Sequence, residues 1–213
     1  MRLVTFPVGP LGCNCSLLVD GVTKEAIVVD PGGDFELISA KLAELGARAV
    51  ALVHTHTHVD HVGATAPLQV ASGATAHIHE ADRFLYQILP VQASLVGTEV
   101  PESAEMEGDL LEGKVLRAGG LELLVMHTPG HTPGSVCFVA RTKERSLAFT
   151  GDTLFRRGVG RTDLWGGDSA ALQKSLEHKL FSLEESTLVV PGHGPTTTIG
   201  EERFGNPFVG RRR

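Results

Sequence analysis

Between His54 and His61 the chain places four histidines and an aspartate within eight residues, in the stretch Leu52-Val53-His54-Thr55-His56-Thr57-His58-Val59-Asp60-His61-Val62-Gly63. Imidazole and carboxylate are ligands of zinc-type ions, and so many of them together would be costly to bury without a partner charge. His56 and His58 are two residues apart and point to the same side of an extended segment. Asp60 and His61 follow where a glycine-containing segment begins to turn, so their side chains diverge toward a second point. One segment can therefore serve two metal ions. The bland alternative is a histidine-rich surface loop.

Three later segments repeat a pattern of apolar strand followed by a tight glycine- or proline-containing turn that carries a ligand. Leu123 to Met126 runs into His127-Thr128-Pro129-Gly130-His131, Leu147 to Thr150 into Gly151-Asp152, and Leu188 to Val190 into Pro191-Gly192-His193-Gly194. Strand ends share a rim of a sheet, where a site can form. His131, Asp152 and His193 thus join His56, His58, Asp60 and His61. The set is too large for one tetrahedral metal and suits two divalent ions. The economical partition gives His56, His58 and His131 to one ion and Asp60, His61 and His193 to the other, with Asp152 bridging. Such a pair would generate a shared hydroxide at neutral pH, held by His56, His58 and Asp152 with Asp60 beside it, as the nucleophile toward a carbonyl. Cys137, inside an apolar strand, is not needed. His54 is expected outside the direct ligands, His127 either supporting His131 or in a structural role, His77 and His79 in structural roles, and His178 on the surface.

Around these residues the sequence reads as short strands at 3–8, 16–19 and 26–29, a helix at 35–45 with Asp34 as its N-cap, and a strand at 49–53 that delivers the histidines. A helix at 64–71, a strand at 74–78 and a helix at 80–88 follow. Residues 89–108, with Pro90, Gly97, Pro101 and Gly108, read as a long loop, either a functional lid or a disordered segment. A hairpin at 114–117 and 121–126, strands at 136–140 and 147–150, a helix at 169–180 and a strand at 187–190 complete the chain. The pattern points to layered α/β with mixed sheets.

A net charge of −6 gives no general attraction for nucleic acid or acidic membranes. The terminal Arg211-Arg212-Arg213 run reads as a solvated tail. Three cysteines do not make a disulfide framework, and Cys13 and Cys15 read as buried thiols. No apolar run is long enough to span a membrane and no signal peptide is visible, so a cytoplasmic location is the expectation.

The run His56-Thr57-His58-Val59-Asp60-His61, with the later elements in the same order, resembles the metallo-β-lactamase fold superfamily. That resemblance implies one domain over residues 1–213, folded as a four-layer αββα sandwich with the metals at one edge of two facing sheets. Within it the chain is most similar to the glyoxalase II group of hydroxyacylglutathione hydrolases, in its short bacterial form. The similarity lies in Thr128 to Ser135, Phe149 to Phe155, Gly158-Val159-Gly160-Arg161-Thr162-Asp163 and Gly192-His193-Gly194-Pro195. It implies hydrolysis of a small-molecule thioester such as the glutathione conjugate S-lactoylglutathione, with Arg161 in substrate binding or paired with Asp163 or Glu202. Longer members add a C-terminal helical region for glutathione. Here cations for its carboxylates are sought in Arg156, Arg157, Arg161 and Arg203. Zinc is the expected metal, with iron or manganese compatible with the same donors. The competing reading is a persulfide dioxygenase with a single iron, a group with similar histidine and Asp152 segments but a different ending. A metal-binding scaffold without activity is a third.

Overall fold

A computed structural model describes residues 1–142 and 146–210; the arginine tail at 211–213 lies outside them. The first sheet runs in sequence order: β1 (Arg2–Val8), β2 (Cys13–Val19), β3 (Glu25–Val29), β4 (Arg48–Val53), β5 (Thr75–His77) and β6 (Met106–Glu107). Its first two pairings are antiparallel and the remaining three parallel. The change comes where α1 (Phe35–Glu44) crosses from β3 to β4, because parallel neighbours need a crossover of about a dozen residues. Next along the chain, α2 (Val59–Val62) and α3 (Thr65–Ser72) lead to β5, and α4 (Arg83–Gln87) and α5 (Leu89–Val96) lead to β6.

The second sheet contains β7 (Val115–Ala118), β8 (Leu121–His127), β9 (Val136–Arg141) and β10 (Ser146–Gly151) as an antiparallel meander. A short ribbon, β11 (Leu154–Phe155) with β12 (Gly158–Val159), and α6 (Ser169–His178) lead to β13 (Leu188–Pro191), which pairs parallel with β10. β14 (Thr197–Thr198) closes that edge, and α7 (Ile199–Gly205) follows. β8 alternates buried Leu121, Leu123 and Val125 with exposed Glu122 and Leu124, whereas β9 is buried along nearly its whole length. A strand covered on both faces loses the alternation.

Three apolar clusters fix the layering. Leu18, Ile27 and Val53 of the first sheet meet Leu123, Phe138 and Phe149 of the second. The opposite face of the first sheet, with Leu17, Val28 and Leu52, is covered by Ile38, Leu42 and Leu68 from α1 and α3. Cys137 and Val189 on the outer face of the second sheet are covered by Leu172, Leu176 and Ile199 from α6 and α7. The order is helix, sheet, sheet, helix, the expected αββα sandwich.

Several local expectations are corrected. Residues 89–108 are not one loop: Leu89–Val96 is helical and Met106–Glu107 adds a strand. Pro90 stands in the first helical turn, where its missing N–H costs nothing, and Gly97 ends the helix at φ 72°, so two apparent breakers are caps. Asp34 does not cap α1 with its side chain; its carboxylate accepts the Gly9 N–H at 2.8 Å instead. The segment 80–88 divides into a 3₁₀ turn, Glu80–Asp82, and α4. Among the described residues no helix is long and apolar enough to cross a membrane.

Phe138, fully buried between the sheets, tests the layering. Phe138→Ala should lower stability by about 3–5 kcal/mol through lost burial and a residual cavity. Urea unfolding measures it, and a loss below about 1 kcal/mol would contradict this packing.

Candidate metal centre

All the expected ligand-bearing turns arrive at one edge of the sandwich, from the ends of β4, β8, β10 and β13. The nitrogen atoms of His56, His58 and His131 lie within 4.8 Å of one another, as do the ligand atoms of Asp60, His61 and His193. A third grouping of His56, His61 and Asp152 joins the two sets. Each set is spaced to hold one ion. Asp152 stands between them. Its Oδ2 is 3.7 Å from His131 Nε2, while Oδ1 is 3.5 Å from His61 Nε2 and 3.8 Å from His193 Nε2.

Hydrogen bonds behind the rings aim the lone pairs. Thr55 Oγ1 donates to Asp30 Oδ2 and so is left to accept from His56 Nδ1 at 3.2 Å. His131 Nδ1 donates to the Arg161 carbonyl at 2.7 Å. In both rings the proton is therefore on Nδ1 and the lone pair on Nε2. Both Nε2 atoms are 3.0 Å from His58 Nδ1. One His58 proton cannot satisfy both lone pairs, whereas a cation among the three nitrogens would. In the second set, His61 Nε2 and Asp152 Oδ1 are buried with no hydrogen-bond partner. Buried polar atoms are nearly always paired, so both signs fit a bound cation in each set.

Charge divides the sets in the same way. Burial lowers His56 and His131 and brings His58 down to about 3, so these rings are neutral, as metal ligation requires. Burial also pulls His61 down, but Cys13 and the carboxylates of Asp60, Asp30 and Asp152 push it the other way and the net shift is upward. His193 likewise moves up: burial opposes, and the Asp60 carboxylate 3.0 Å from Nε2 prevails. For Asp60 the cost of burial is outweighed by His61 and His193, and its carboxyl falls below the ordinary range. The carboxylates around the second set thus favour positive charge there.

The backbone around these ligands is tightly specified. Asp30 sits at φ 50° at the end of β3 and accepts the Thr55 N–H and hydroxyl, both at 2.7 Å. Its Oδ2 is 3.1 Å from His61 Nδ1, so it orients that ring as well. A Cβ on Gly192 would overlap Asp152 Oδ1 and His61 Cε1, so only glycine fits there. Asp82 ties two ligand loops together. It accepts Thr57 N at 3.3 Å between His56 and His58, and Thr132 Oγ1 and Gly134 N at 2.8 and 2.6 Å beyond His131. Gln92 of α5 accepts Val59 N at 3.0 Å and donates to Thr57 O at 3.3 Å, bracing the backbone on both sides of His58. The sequence places Asp82 in the 80–88 helix and Gln92 in the 89–108 loop and marks neither as a partner of the ligand turns. The only signal for Asp30 was an aspartate at a buried strand's end before Pro-Gly.

His54 lies outside both sets, with its ring nitrogens on His77 O and Thr65 Oγ1, and burial lowers it to about 4. His127 bonds Pro133 O and stacks on His79 at 4.1 Å; His77 pairs with Asp109, and His178 is exposed. Arg161 is fixed to Asp163 by bonds of 2.7 and 2.9 Å, both side chains exposed; Glu202 instead accepts the Arg157 N–H. Next to Asp60 a cavity of about 650 Å³ is bounded by Gly32, Val59, Thr98 and Glu102, so part of the 89–108 segment does border the centre.

The sequence pattern of the Metallo-beta-lactamase superfamily matches residues 8–193. A hydroxyacylglutathione hydrolase GloC from Haemophilus influenzae is 38% identical, over 98% of each chain. The mitochondrial persulfide dioxygenase ETHE1 of Mus musculus is 33% identical over 93% of this chain and 72% of its own. Among solved structures, the BLEG-1 B3 metallo-beta-lactamase superposes with a TM-score of 0.90 at 36% identity, covering 98% of this chain and 99% of its own. A di-iron-bound form of TTHA1623 superposes with a TM-score of 0.85 at 38% identity, covering 96% and 99%.

Asp82 makes the ligand loops pH-sensitive. Burial raises its carboxyl to about 6 against the three hydrogen bonds that pull it down. The folded value exceeds the unfolded ~3.9, so the native state holds an extra proton in between. That contribution, on the order of 2–3 kcal/mol, is full below about pH 4 and is lost as pH rises through 6. Urea unfolding with chelator present should show the native protein losing stability relative to Asp82→Asn across this window. Parallel curves would contradict the assignment.

Proposed function

The chain belongs to the metallo-beta-lactamase superfamily, and from its two facing ligand sets we propose that it is a metal-dependent hydrolase of small acyl thioesters such as S-lactoylglutathione. The observation that carries this reading is Asp152, with one carboxylate oxygen turned to each set and Oδ1 buried without a hydrogen-bond partner. His56, His58 and His131 would hold one dication, Asp60, His61 and His193 the other, and Asp152 both. Zinc suits this nitrogen and oxygen donor set; iron is the competitor that the di-iron-bound relative brings forward. Bound there, two dications supply Lewis acidity toward a carbonyl and lower the pKa of water.

The remaining work falls to the chain's own groups. The Asp60 carboxylate, 3.0 Å from His193 Nε2 and, against its burial, kept ionised by His61 and His193, would orient the attacking water. A carbon–oxygen bond forms at the acyl carbon and the carbon–sulfur bond breaks, so water and thioester give a carboxylate and a thiolate, with the two protons of the water released to solvent. No serine or cysteine nucleophile is required; burial raises the Cys137 thiol to about 12, far from an activated thiolate. Arg161 is our assignment for a carboxylate on the thiol part of the substrate. Its pair with Asp163 is exposed and screened, so it can exchange for a substrate carboxylate. Three free buried cysteines accord with a cytoplasmic enzyme.

The identity to a persulfide dioxygenase supports a second reading, oxidation of a persulfide at one iron. His193, close against Asp60 in the second set, favours the two-ion hydrolase. With purified, metal-reconstituted protein, S-lactoylglutathione should be cleaved and glutathione persulfide should cause no oxygen uptake. Oxygen uptake without thioester cleavage would reverse the assignment. His58→Ala should lower kcat/KM by at least about 10²-fold, the scale of losing one preorganised electrostatic group; unchanged activity would overturn both readings.

A further inference from the structure

His193 is the weakly enclosed member of its set: its side chain is 29% exposed, against 0% for His61 and 14% for Asp60. It also sits on a turn after β13, in the second sheet, while Asp60 and His61 follow β4 in the first. Something must hold this turn across the gap between the sheets. The start of β2 does so. Asn14 N donates to Gly192 O at 2.7 Å, and Asn14 Nδ2 donates to Pro191 O at 3.0 Å and to Gly194 O at 2.9 Å. Three carbonyls flanking His193 are thus held by one residue of the first sheet. Gly192 N is held in turn by Gly151 O at 2.8 Å, next to Asp152.

The preceding residue reaches the other histidine of the set. Strand neighbours point to opposite sides, and Cys13 Sγ lies 3.5 Å from His61 Nδ1, beside Asp30 Oδ2. Cys13 is fully buried, so this contact is shielded from water. Consecutive residues of one strand therefore touch the rear of His61 and the backbone on either side of His193, and neither offers a ligand to the front of the set.

We infer that Cys13 and Asn14 are positioning residues that set the geometry of the Asp60–His61–His193 site and so decide whether a second ion is retained. The inference rests on the two-ion assignment above. It gives the Cys13-Asn14-Cys15 run a role beyond packing: the second ion separates the hydrolase from the one-iron reading, and its retention depends on a residue more than 170 positions from His193 in the chain. An amide is needed because it supplies two donors from one nitrogen, aimed at two carbonyls; a carboxylate of the same shape would face both carbonyls without a donor.

The test is competition of the zinc-loaded protein with a chromophoric chelator, which resolves the affinity of each ion without an activity assay. Asn14→Asp keeps the backbone bond to Gly192 and should weaken the second ion at least tenfold while leaving the first within about twofold. Cys13→Val should weaken the second ion at least threefold. In cobalt-substituted protein, Asn14→Asp should change the visible absorption of the second equivalent and not of the first. Should Asn14→Asp fail to fold, Asn14→Ser, which cannot span both carbonyls, takes its place with the same expectation. Two tightly held ions in Asn14→Asp, or equal weakening of both ions as in a general folding defect, would overturn this inference alone. A native protein that holds one ion would overturn the two-ion assignment and this inference with it.

Discussion

Two imidazole lone pairs, those of His56 and His131, are turned by hydrogen bonds behind their rings onto the same nitrogen of His58, each at 3.0 Å. Neutral rings have no arrangement of protons that satisfies this convergence, and burial keeps all three neutral. A few ångströms away, three carboxylates surround His61. The fold thus concentrates electron pairs in a hollow that only positive charge can stabilise. Most of the surrounding hydrogen bonds hold that unfavourable arrangement in place.

The holding is done largely by residues outside the two candidate ligand sets. Asp30 takes up an unusual backbone conformation at φ 50° and aligns both Thr55 and His61. Asp82 joins the loops before His58 and after His131; Gln92 and Asn14, two amides from different layers, brace the backbone on either side of His58 and His193. Asp82 and Asn14 join the first sheet and its turns to turns of the second, so the two candidate sets come together only when the sheets have packed. The rigid sandwich, with Phe138 and Phe149 buried between the sheets, is what allows strand-end turns to aim side chains with small tolerance.

The clustering of the candidate ligands is legible because their chemistry is rare and dense in the sequence. Four histidines in eight residues have no ordinary packing explanation, and His131, Asp152 and His193 each stand on a glycine-containing turn after an apolar strand. The layered class followed from strand and helix periods for the same reason. The supporting residues were not legible. Asp82 and Asn14 act by bonding backbone groups of distant turns, and sequence spacing carries no trace of such partners. The segment 89–108 reads as a loop in sequence because proline and glycine break a helix in its interior and cap it at its ends; the burial of Leu89 and Ala93 against Val59 and Val62 decides which. Arg161 was read equally as a substrate contact or as an ion-pair partner, and it does meet Asp163.

The most direct test of the centre is anomalous diffraction from crystals of the zinc-reconstituted protein, with data collected on both sides of the zinc edge. Two peaks are expected, one about 2.0–2.2 Å from nitrogens of His56, His58 and His131 and one at that distance from Asp60, His61 and His193, with an Asp152 oxygen turned to each. A single peak, or peaks away from these residues, would contradict the two-ion assignment.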